Sequence, residues 1–424
     1  MAQLTDDCFA FSGPLMPIAE AERLIAERVT PVEGFSRVKL ASALGRVLAE
    51  DIVAPIDLPP FFNSAVDGYA VRHADLASAG ETRLRVGGRV MAGRAAGQPL
   101  PPREAARIFT GAPMPQGADT VFMQEDVHVD GDDVIVPPGL KRSANSRPAG
   151  EDIGVGQRAL SAGTRLDPTG IALAAALGLT SLPVHARVRV ALFSTGDEIA
   201  APGARLSRAQ IYDANRPLLA ALLQSFGARV TDLGILADKP KVLRDALAMA
   251  ATDHDLIITS GGVSTGEADH VRGAVEKIGR LVFWRIGIKP GRPVAMGVVP
   301  GLAPGESAAF VGLPGNPVAV FVTFARIVRP LLLRLAGAAP EDLTAYPVRA
   351  GFSYRKKAGR REYVRVRLEC LADGALVAHK YPREGAGVIT SLTETDGLAE
   401  LPEELTALAP GATVGFIPYG ALRG

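Results

Sequence analysis

Residues 256–269, Leu-Ile-Ile-Thr-Ser-Gly-Gly-Val-Ser-Thr-Gly-Glu-Ala-Asp, run an apolar strand straight into a glycine loop that ends in two carboxylates. Gly261 and Gly262 have no Cβ, so positive φ is open to them and backbone N–H groups can approach a ligand. A helix starting near Asp269 would add its positive dipole end. Phosphate and Mg²⁺ are the natural guests of such a loop, although a plain tight turn uses the same residues. Elsewhere Asp197, Glu198, Asp238, Glu267 and Asp269 offer hard oxygen ligands for a divalent cation, and Lys289 with Arg292 suit a compact oxyanion.

These residues need elements that bring them together. Val188–Phe193 leads into Ser194-Thr-Gly-Asp-Glu198, and Val230–Leu236 into Ala237-Asp-Lys-Pro240. Trp284–Ile288 leads into Lys289-Pro-Gly-Arg-Pro293, and Ala309–Gly312 into Leu313-Pro-Gly-Asn-Pro317. Helical spacing recurs between them, in Pro217–Phe226, Val242–Ala251, Val271–Ile278 and Val318–Leu335. Strand alternating with helix predicts a mostly parallel sheet, and right-handed crossovers put successive strand-to-helix loops on its carboxyl edge. Five loops far apart in sequence are thereby expected to share one crevice.

A chain of 424 residues exceeds what one hydrophobic core usually serves. A net charge of +1 and a charged content of 21% argue against a nucleic-acid partner, and 5% aromatic residues with one Trp leave few stacking platforms. Cys8 and Cys370 form no Cys-x-x-Cys, so neither a disulfide framework nor a thiolate zinc site is expected, and a reducing cytoplasm fits. Asp6 and Asp7 stand where a signal peptide would need positive charge. Val318–Leu335, the best candidate for a membrane span, is interrupted by Arg326, Arg329 and Arg334, so no membrane segment is expected. The six histidines form no i, i+4 pair, and His270 reads as a helix-start surface residue.

The expected fold is multidomain α/β and β. An elongated helical segment, residues 14–53 plus 147–186, carries an inserted small β domain, 54–146; a mostly parallel α/β domain, 187–338, and a β domain, 339–424, follow. Pro17–Leu48 reads as two helices, with Ile18, Ala21, Leu24 and Ile25 and then Leu40, Leu44, Val47 and Leu48 marking their faces. Two motifs lie in the insertion. In Leu58–Ala70, Asn63 and Asp67 stand among prolines and glycine, and Ile108-Phe-Thr-Gly-Ala-Pro113 is a strand-to-turn element; each is locally explicable as a turn.

Taken in order, Asn63-Ser-Ala-Val-Asp67-Gly-Tyr-Ala, Thr110-Gly-Ala-Pro, Arg147-x-x-Gly-Glu-Asp152, Ser194-Thr-Gly-Asp-Glu198, Thr259-Ser-Gly-Gly-Val-Ser-Thr-Gly-Glu-Ala-Asp269, Lys289-Pro-Gly-Arg-Pro293 and Gly312-Leu-Pro-Gly-Asn-Pro317 resemble the molybdopterin molybdenumtransferase family, which includes the gephyrin E domain. The tail from Gly385 to Pro402, with Ser391, resembles the family's final segment, and the likeness runs from about residue 14 to 420.

The resemblance implies that adenylylated molybdopterin and molybdate are converted to molybdenum-loaded cofactor and AMP with Mg²⁺, in a cytoplasmic homodimer with shared active sites. It also implies a transient contact with the adenylyltransferase that supplies the substrate. Asp67, Thr110, Glu198, Asp238, Asp269, Pro314 and Pro317 match positions functional in the family, with Arg147 beside them. On this reading Glu198 and Asp269 serve the metal or water. Ser260, Gly261, Gly262 and Ser264 serve phosphate, and Lys289 and Arg292 serve molybdate, with Ser391 a further candidate for that oxyanion. Pro314 and Pro317 shape their loop, since proline offers neither N–H nor charge. Asp238 is read either as a helix N-cap before Lys239-Pro240 or as catalytic.

Departures from the family pattern are Phe62 for Asp, Val66 for Met, Arg285 and Arg292 for Lys, and Ala319 and Ala386 for Ser; they bear on the molybdate pocket. Rival readings are a molybdopterin adenylyltransferase, which shares the Ser-Gly-Gly core, and a non-catalytic carrier or scaffold.

Overall fold

The computed structural model describes residues 15–263 and 270–422. The chain divides into two compact units. One comprises Asp51–Ser161 with Pro168–Thr180; the other comprises the described residues before Asp51, Ala162–Asp167 and those from Ser181 onward.

The first unit is built on a six-stranded sheet ordered Thr120–Met123, Gly68–Val71, Glu104–Ile108, Thr82–Val90, Asp133–Val136, His128–Asp130. Strand alternation splits its apolar residues between two faces: Ala70, Ala106, Ile108 and Val121 on one, Tyr69, Val71, Ala105 and Phe122 on the other. Gly68 has to be glycine, because a Cβ there would lie 1.8 Å from the Phe122 carbonyl oxygen. Pro168–Ala176 forms a helix in this unit.

In the second unit the α/β sheet is ordered Arg229–Leu236, Arg189–Thr195, Leu256–Ser260, Ser307–Leu313, Pro293–Pro300, Arg280–Arg285. The first four strands are mutually parallel. Pro293–Pro300 runs antiparallel to both neighbours, which returns Arg280–Arg285 to the common direction. Five carboxyl ends therefore share one edge, as the strand–helix alternation predicts. The reversed strand was not foreseen. Leu256, Ile257 and Ile258 are each fully buried, the uninterrupted apolar run expected of a strand covered on both faces. Helices Pro240–Asp253 and His270–Ile278 cover one face through Leu243, Leu247, Val271 and Val275. Ile18–Arg28, Asn215–Ser225 and the segment Pro317–Leu335 cover the other. That last segment is continuous apart from one wide π turn at Phe324–Val328. Its buried Arg326 and Arg329 are paired with Glu22 and Glu341. Among the described residues no helix is long and apolar enough to cross a membrane.

The second helix expected within Pro17–Leu48 is absent. Phe35–Lys39 is a strand paired antiparallel with Ser181–His185, followed by a 3₁₀ turn at Leu40–Ser42. The apolar spacing misled because its members do not share a face: Val47 and Leu48 are buried, whereas Leu44 is 60% exposed, and Gly45 at φ +70° breaks any helical run.

Beyond residue 345, strands Arg361–Cys370, Leu376–Lys380, Tyr346–Ala350, Thr413–Pro418 and Gly397–Leu401 pair in that order. The last pairs back to the first and closes a small barrel. Ile288–Lys289, arriving from the α/β domain, adds a parallel strand beside Arg361–Glu362 and puts Lys289 opposite Glu362.

Candidate active site

At the shared carboxyl edge of the α/β sheet lies a cavity of about 430 Å³. It is lined by Ser194, Thr195, Glu198, Asn215, Ser260, Gly261 and Asn316, with Ile199, Ile211, Tyr212 and Ile389 as apolar walls. The glycine loop takes the backbone its residues foretell: Gly261 has φ +87° and Gly262 φ +66°. Packing alone demands both glycines. A Cβ on Gly261 would stand 2.4 Å from the Thr195 carbonyl oxygen, and one on Gly262 2.4 Å from Val271 Cγ2. Two groups read as phosphate ligands are engaged internally. The Gly261 N–H donates to the Leu313 carbonyl at 3.1 Å, and Ser260 Oγ donates to the Pro314 carbonyl at 3.3 Å while accepting from Asn215 Nδ2 at 2.8 Å. Ser264, Glu267 and Asp269 lie outside the described residues.

Three carboxylates collect near this edge. Gly196, at φ +140°, leaves room for the Glu198 carboxylate, which would lie 2.5 Å from a Cβ at that position. Burial, reinforced by the charges of Asp197 and Glu198, raises the Asp238 carboxyl above its ordinary range, although the backbone N–H of His270 donates to it. Asp238 therefore stands at the start of helix His270–Ile278. It is not the N-cap of its own following helix, where Lys239 holds that position without a side-chain bond. Among the described residues Asp238 Oδ1 is buried without a partner. Among the described residues no three metal-ligating side chains converge as a cage. Mg²⁺ needs none, because it takes one or two carboxylates and fills its shell with water and phosphate oxygens; mutually repelling carboxylates with an orphaned oxygen fit it.

A second cavity, of about 330 Å³, adjoins the first at the Pro314–Pro317 loop and shares Asn316 with it. Its wall is cationic: Lys289, Arg292, Arg365, Lys380 and Arg383, with Glu384 the only carboxylate among its lining residues. Lys289 Nζ donates to Glu362 at 3.1 Å and to Tyr354 Oη at 3.2 Å. Burial works to lower its pKa, but these two partners outweigh it and the ammonium is held above its usual range. Arg292 is exposed at the rim. Arg365 is 6% exposed and has no carboxylate among its hydrogen-bond acceptors. Its Nε donates to Ser391 Oγ at 3.1 Å and its Nη2 to the carbonyls of Arg383 and Gly385 at 3.0 and 3.2 Å. Burial lowers its pKa. Ser391 is fully buried and lies behind Arg365; its hydroxyl donates to the Val388 carbonyl at 2.6 Å. Arg292, Ala319 and Ala386 all line this cavity, so three of the departures fall on its cationic wall. Pro317 opens helix Pro317–Thr323, and the Pro314 carbonyl anchors Ser260, in keeping with a shaping role.

In the other unit, Asp67 Oδ1 accepts from both the N–H and the Oγ1 of Thr110, at 2.8 and 2.7 Å. The Thr110 hydroxyl is the main cause of the lowered pKa of this exposed carboxylate. Arg147 is exposed, 3.9 Å from Glu151. Phe62 and Val66 pack against the apolar core of this unit, which accounts for an apolar side chain at both positions.

Sequence reasoning missed Asn215 and Arg365. Asp213-Ala-Asn215 directly before a helix was a usable signal. Arg365 lies between Val364 and Val366 of the barrel core in strand Arg361–Cys370, on the opposite face, and the strand's sequence carries no signal that this arginine is buried.

Comparison with known proteins agrees along the whole chain. Residues 16–178 match the family "MoeA N-terminal region (domain I and II)", 191–334 "Probable molybdopterin binding domain", and 347–419 "MoeA C-terminal region (domain IV)". A molybdopterin molybdenumtransferase of Haemophilus influenzae is 37% identical over 91% of this chain and 94% of its own length. Molybdopterin molybdenumtransferase 2 of Mycobacterium tuberculosis is 36% identical over 93% and 97%. A crystal structure of the molybdopterin biosynthesis moeA protein from Pyrococcus horikoshii superposes with a TM-score of 0.80 at 29% identity, over 96% of this chain and all of that one.

Proposed function

Because this chain belongs to the molybdopterin molybdenumtransferase family, we propose that its crevice takes adenylylated molybdopterin, its cationic cavity takes molybdate, and turnover yields molybdenum-loaded cofactor and AMP. The observation that carries this reading is the adjacency of the two cavities at Asn316: one is lined by hydroxyls and the carboxylates of Glu198 and Asp213, the other by fixed positive charge, with the Pro314–Pro317 loop between. A dianion in the second cavity is presented to a substrate in the first without crossing solvent. Water attacks the phosphoanhydride in line, its oxygen forms the new P–O bond and its proton passes to solvent, while the bridging P–O bond breaks and AMP and the molybdopterin phosphate part. Glu198, with Asp269 by resemblance, would hold Mg²⁺, which when bound neutralises charge on the phosphoanhydride. Lys289, Arg292 and Arg365 hold molybdate by charge and donated hydrogen bonds. Asp67 and Thr110 of the insertion, with Arg147 beside them, serve the same reaction, in a cytoplasmic homodimer that receives its substrate from an adenylyltransferase.

An adenylyltransferase reading is less well supported, because relatives named molybdenumtransferase align over 94% and 97% of their length. The test is AMP release from adenylylated molybdopterin. Release that depends on molybdate and Mg²⁺ is expected. Binding without release would make the protein a carrier, and formation of the adenylylated species from ATP would make it the preceding enzyme.

A further inference from the structure

Asn215 is 8% exposed and lines the crevice at the start of helix Asn215–Ser225. Its amide orientation is set by its neighbours. Nδ2 donates to the Gly315 carbonyl at 2.7 Å, which can only accept, and to Ser260 Oγ at 2.8 Å, whose own proton goes to the Pro314 carbonyl. Both amide protons are thereby spent, and Oδ1 is left as a buried acceptor with no donor among the described residues. Leaving such an atom unmet is costly, so its natural complement is a ligand N–H. Phosphate or molybdate cannot supply one, since both present oxygens that would be repelled. Beside it, Ser194 Oγ and Thr195 Oγ1 are likewise buried, unpartnered and on the crevice wall; hydroxyls serve as donor or acceptor as required. Ile199, Ile211, Tyr212 and Ile389 provide apolar surface for the faces of a flat ring.

We propose that Asn215 is a specificity-determining residue whose Oδ1 accepts from the N–H edge of the substrate's pterin ring, with Ser194 and Thr195 completing the donor–acceptor pattern. The inference rests on the crevice being the molybdopterin site. A pterin presents an exocyclic amino group and a ring N–H on one edge, next to acceptor atoms, which is the complement of this wall. Nδ2 has the separate task of tying the Gly315 carbonyl, and with it the Pro314–Pro317 loop.

The two ends of the amide are separable by substitution. Asn215→Asp keeps an acceptor at Oδ1 and removes both donors; Asn215→Ala removes both functions. Full-length protein is assayed for KM toward adenylylated molybdopterin, KM toward molybdate, and the dissociation constant of molybdopterin without molybdate. Wild-type protein that neither binds molybdopterin nor turns over would overturn the proposed function itself; with wild-type turnover in hand, the variants test Asn215. Asn215→Ala is expected to weaken both pterin-dependent quantities about tenfold, and Asn215→Asp to leave them within about twofold of wild type. Loss of the loop tie should raise the molybdate KM in both variants. Equal weakening toward the pterin by Asp and Ala would overturn the proposal, because only the donors would then matter. A lowered Mg²⁺ requirement in Asn215→Asp without a pterin effect in Asn215→Ala would also overturn it, assigning Oδ1 to the metal.

Discussion

Arg365→Lys probes the oxyanion cavity most sharply, because it keeps the charge and removes the planar fork. The guanidinium is held by three neutral acceptors, Ser391 Oγ and the carbonyls of Arg383 and Gly385, and is 6% exposed. A lysine ammonium is a point charge on an unbranched stem and cannot reach all three while also facing the cavity. The Gly385 carbonyl keeps the Val388 N–H, but Ser391 Oγ and the Arg383 carbonyl each cost about 1–3 kcal/mol when left without a donor, so the variant should be less stable by about 2–6 kcal/mol. Toward molybdate, the loss of one charge-assisted pair is worth about 1.5–3 kcal/mol, a rise of about 10- to 150-fold in half-saturation. The assay is AMP release at saturating adenylylated molybdopterin over a molybdate series, alongside thermal unfolding. A folded variant whose molybdate half-saturation stays within about twofold of wild type would refute the reasoning and reduce Arg365 to a tie between the barrel and the 383–391 loop. An equal rise in KM for the pterin substrate would refute it too, by making the cavity a general phosphate site.

Three further outcomes follow from particular contacts. Gly261→Ala places a side chain at φ +87° and a Cβ 2.4 Å from the Thr195 carbonyl oxygen; the backbone strain alone is about 1–3 kcal/mol, so a clear drop in the thermal midpoint is expected, and an unchanged midpoint would refute the packing constraint. The Asp238 carboxyl is raised in the folded state, so its ionisation opposes folding: the stability present below its unfolded pKa is lost as pH rises through the folded value. Asn in its place should thus be more stable than wild type at pH 7.5 and equal near pH 3, with activity lost; equal stability at both pH values in urea titrations would contradict the raised pKa. Mixing inactive Asp67→Ala chains with inactive Asp269→Ala chains should restore roughly a quarter of full activity if a homodimer shares its sites, since half the dimers are then mixed and each has one intact site of two; no recovery, with exchange confirmed, would exclude sharing.

What was legible in the chain was what local chemistry dictates. Leu256–Ser260 had to be a doubly covered strand because every residue is apolar or small, and Gly261-Gly262 had to turn because their φ values admit nothing else readily. Phe35–Lys39 was misread because its pairing partner, Ser181–His185, lies far along the chain and no local signal names it. The cap reading of Asp238, one of its two, failed for the same reason: its proximity to Lys239-Pro240 suggested a cap, whereas it accepts from the His270 N–H at the start of helix His270–Ile278. Arg365 was invisible because its hydrogen-bond partners, Arg383, Gly385 and Ser391, come from a loop beyond two strands of the barrel.

The oxyanion cavity illustrates why loop chemistry alone underdetermines a site. Lys289 belongs by sequence to the α/β domain, yet it is held by Glu362 and Tyr354 of the barrel, through a two-residue strand that pairs with Arg361–Glu362. A second tie runs from the Val318 N–H to the Ala386 carbonyl, at 3.0 Å, and joins helix Pro317–Thr323 to the barrel's 383–391 loop. The two alanines that replace serine in the family pattern, Ala319 and Ala386, lie beside that tie on the cavity wall. Two hydroxyl donors are thereby lost where an oxyanion would sit, while Lys289, Arg292 and Arg365 remain. A hydroxyl donor contributes about 1 kcal/mol and a charge-assisted donor about twice that, so the balance of binding in this chain shifts from geometry toward charge. Charge discriminates poorly among tetrahedral dianions. Sulfate should therefore compete with molybdate more effectively here than in relatives that keep the serines, and restoring serine at both positions should weaken sulfate inhibition more than it changes turnover. Unaltered sulfate inhibition in the doubly restored variant would show that the arginines, and not the hydroxyls, set selectivity.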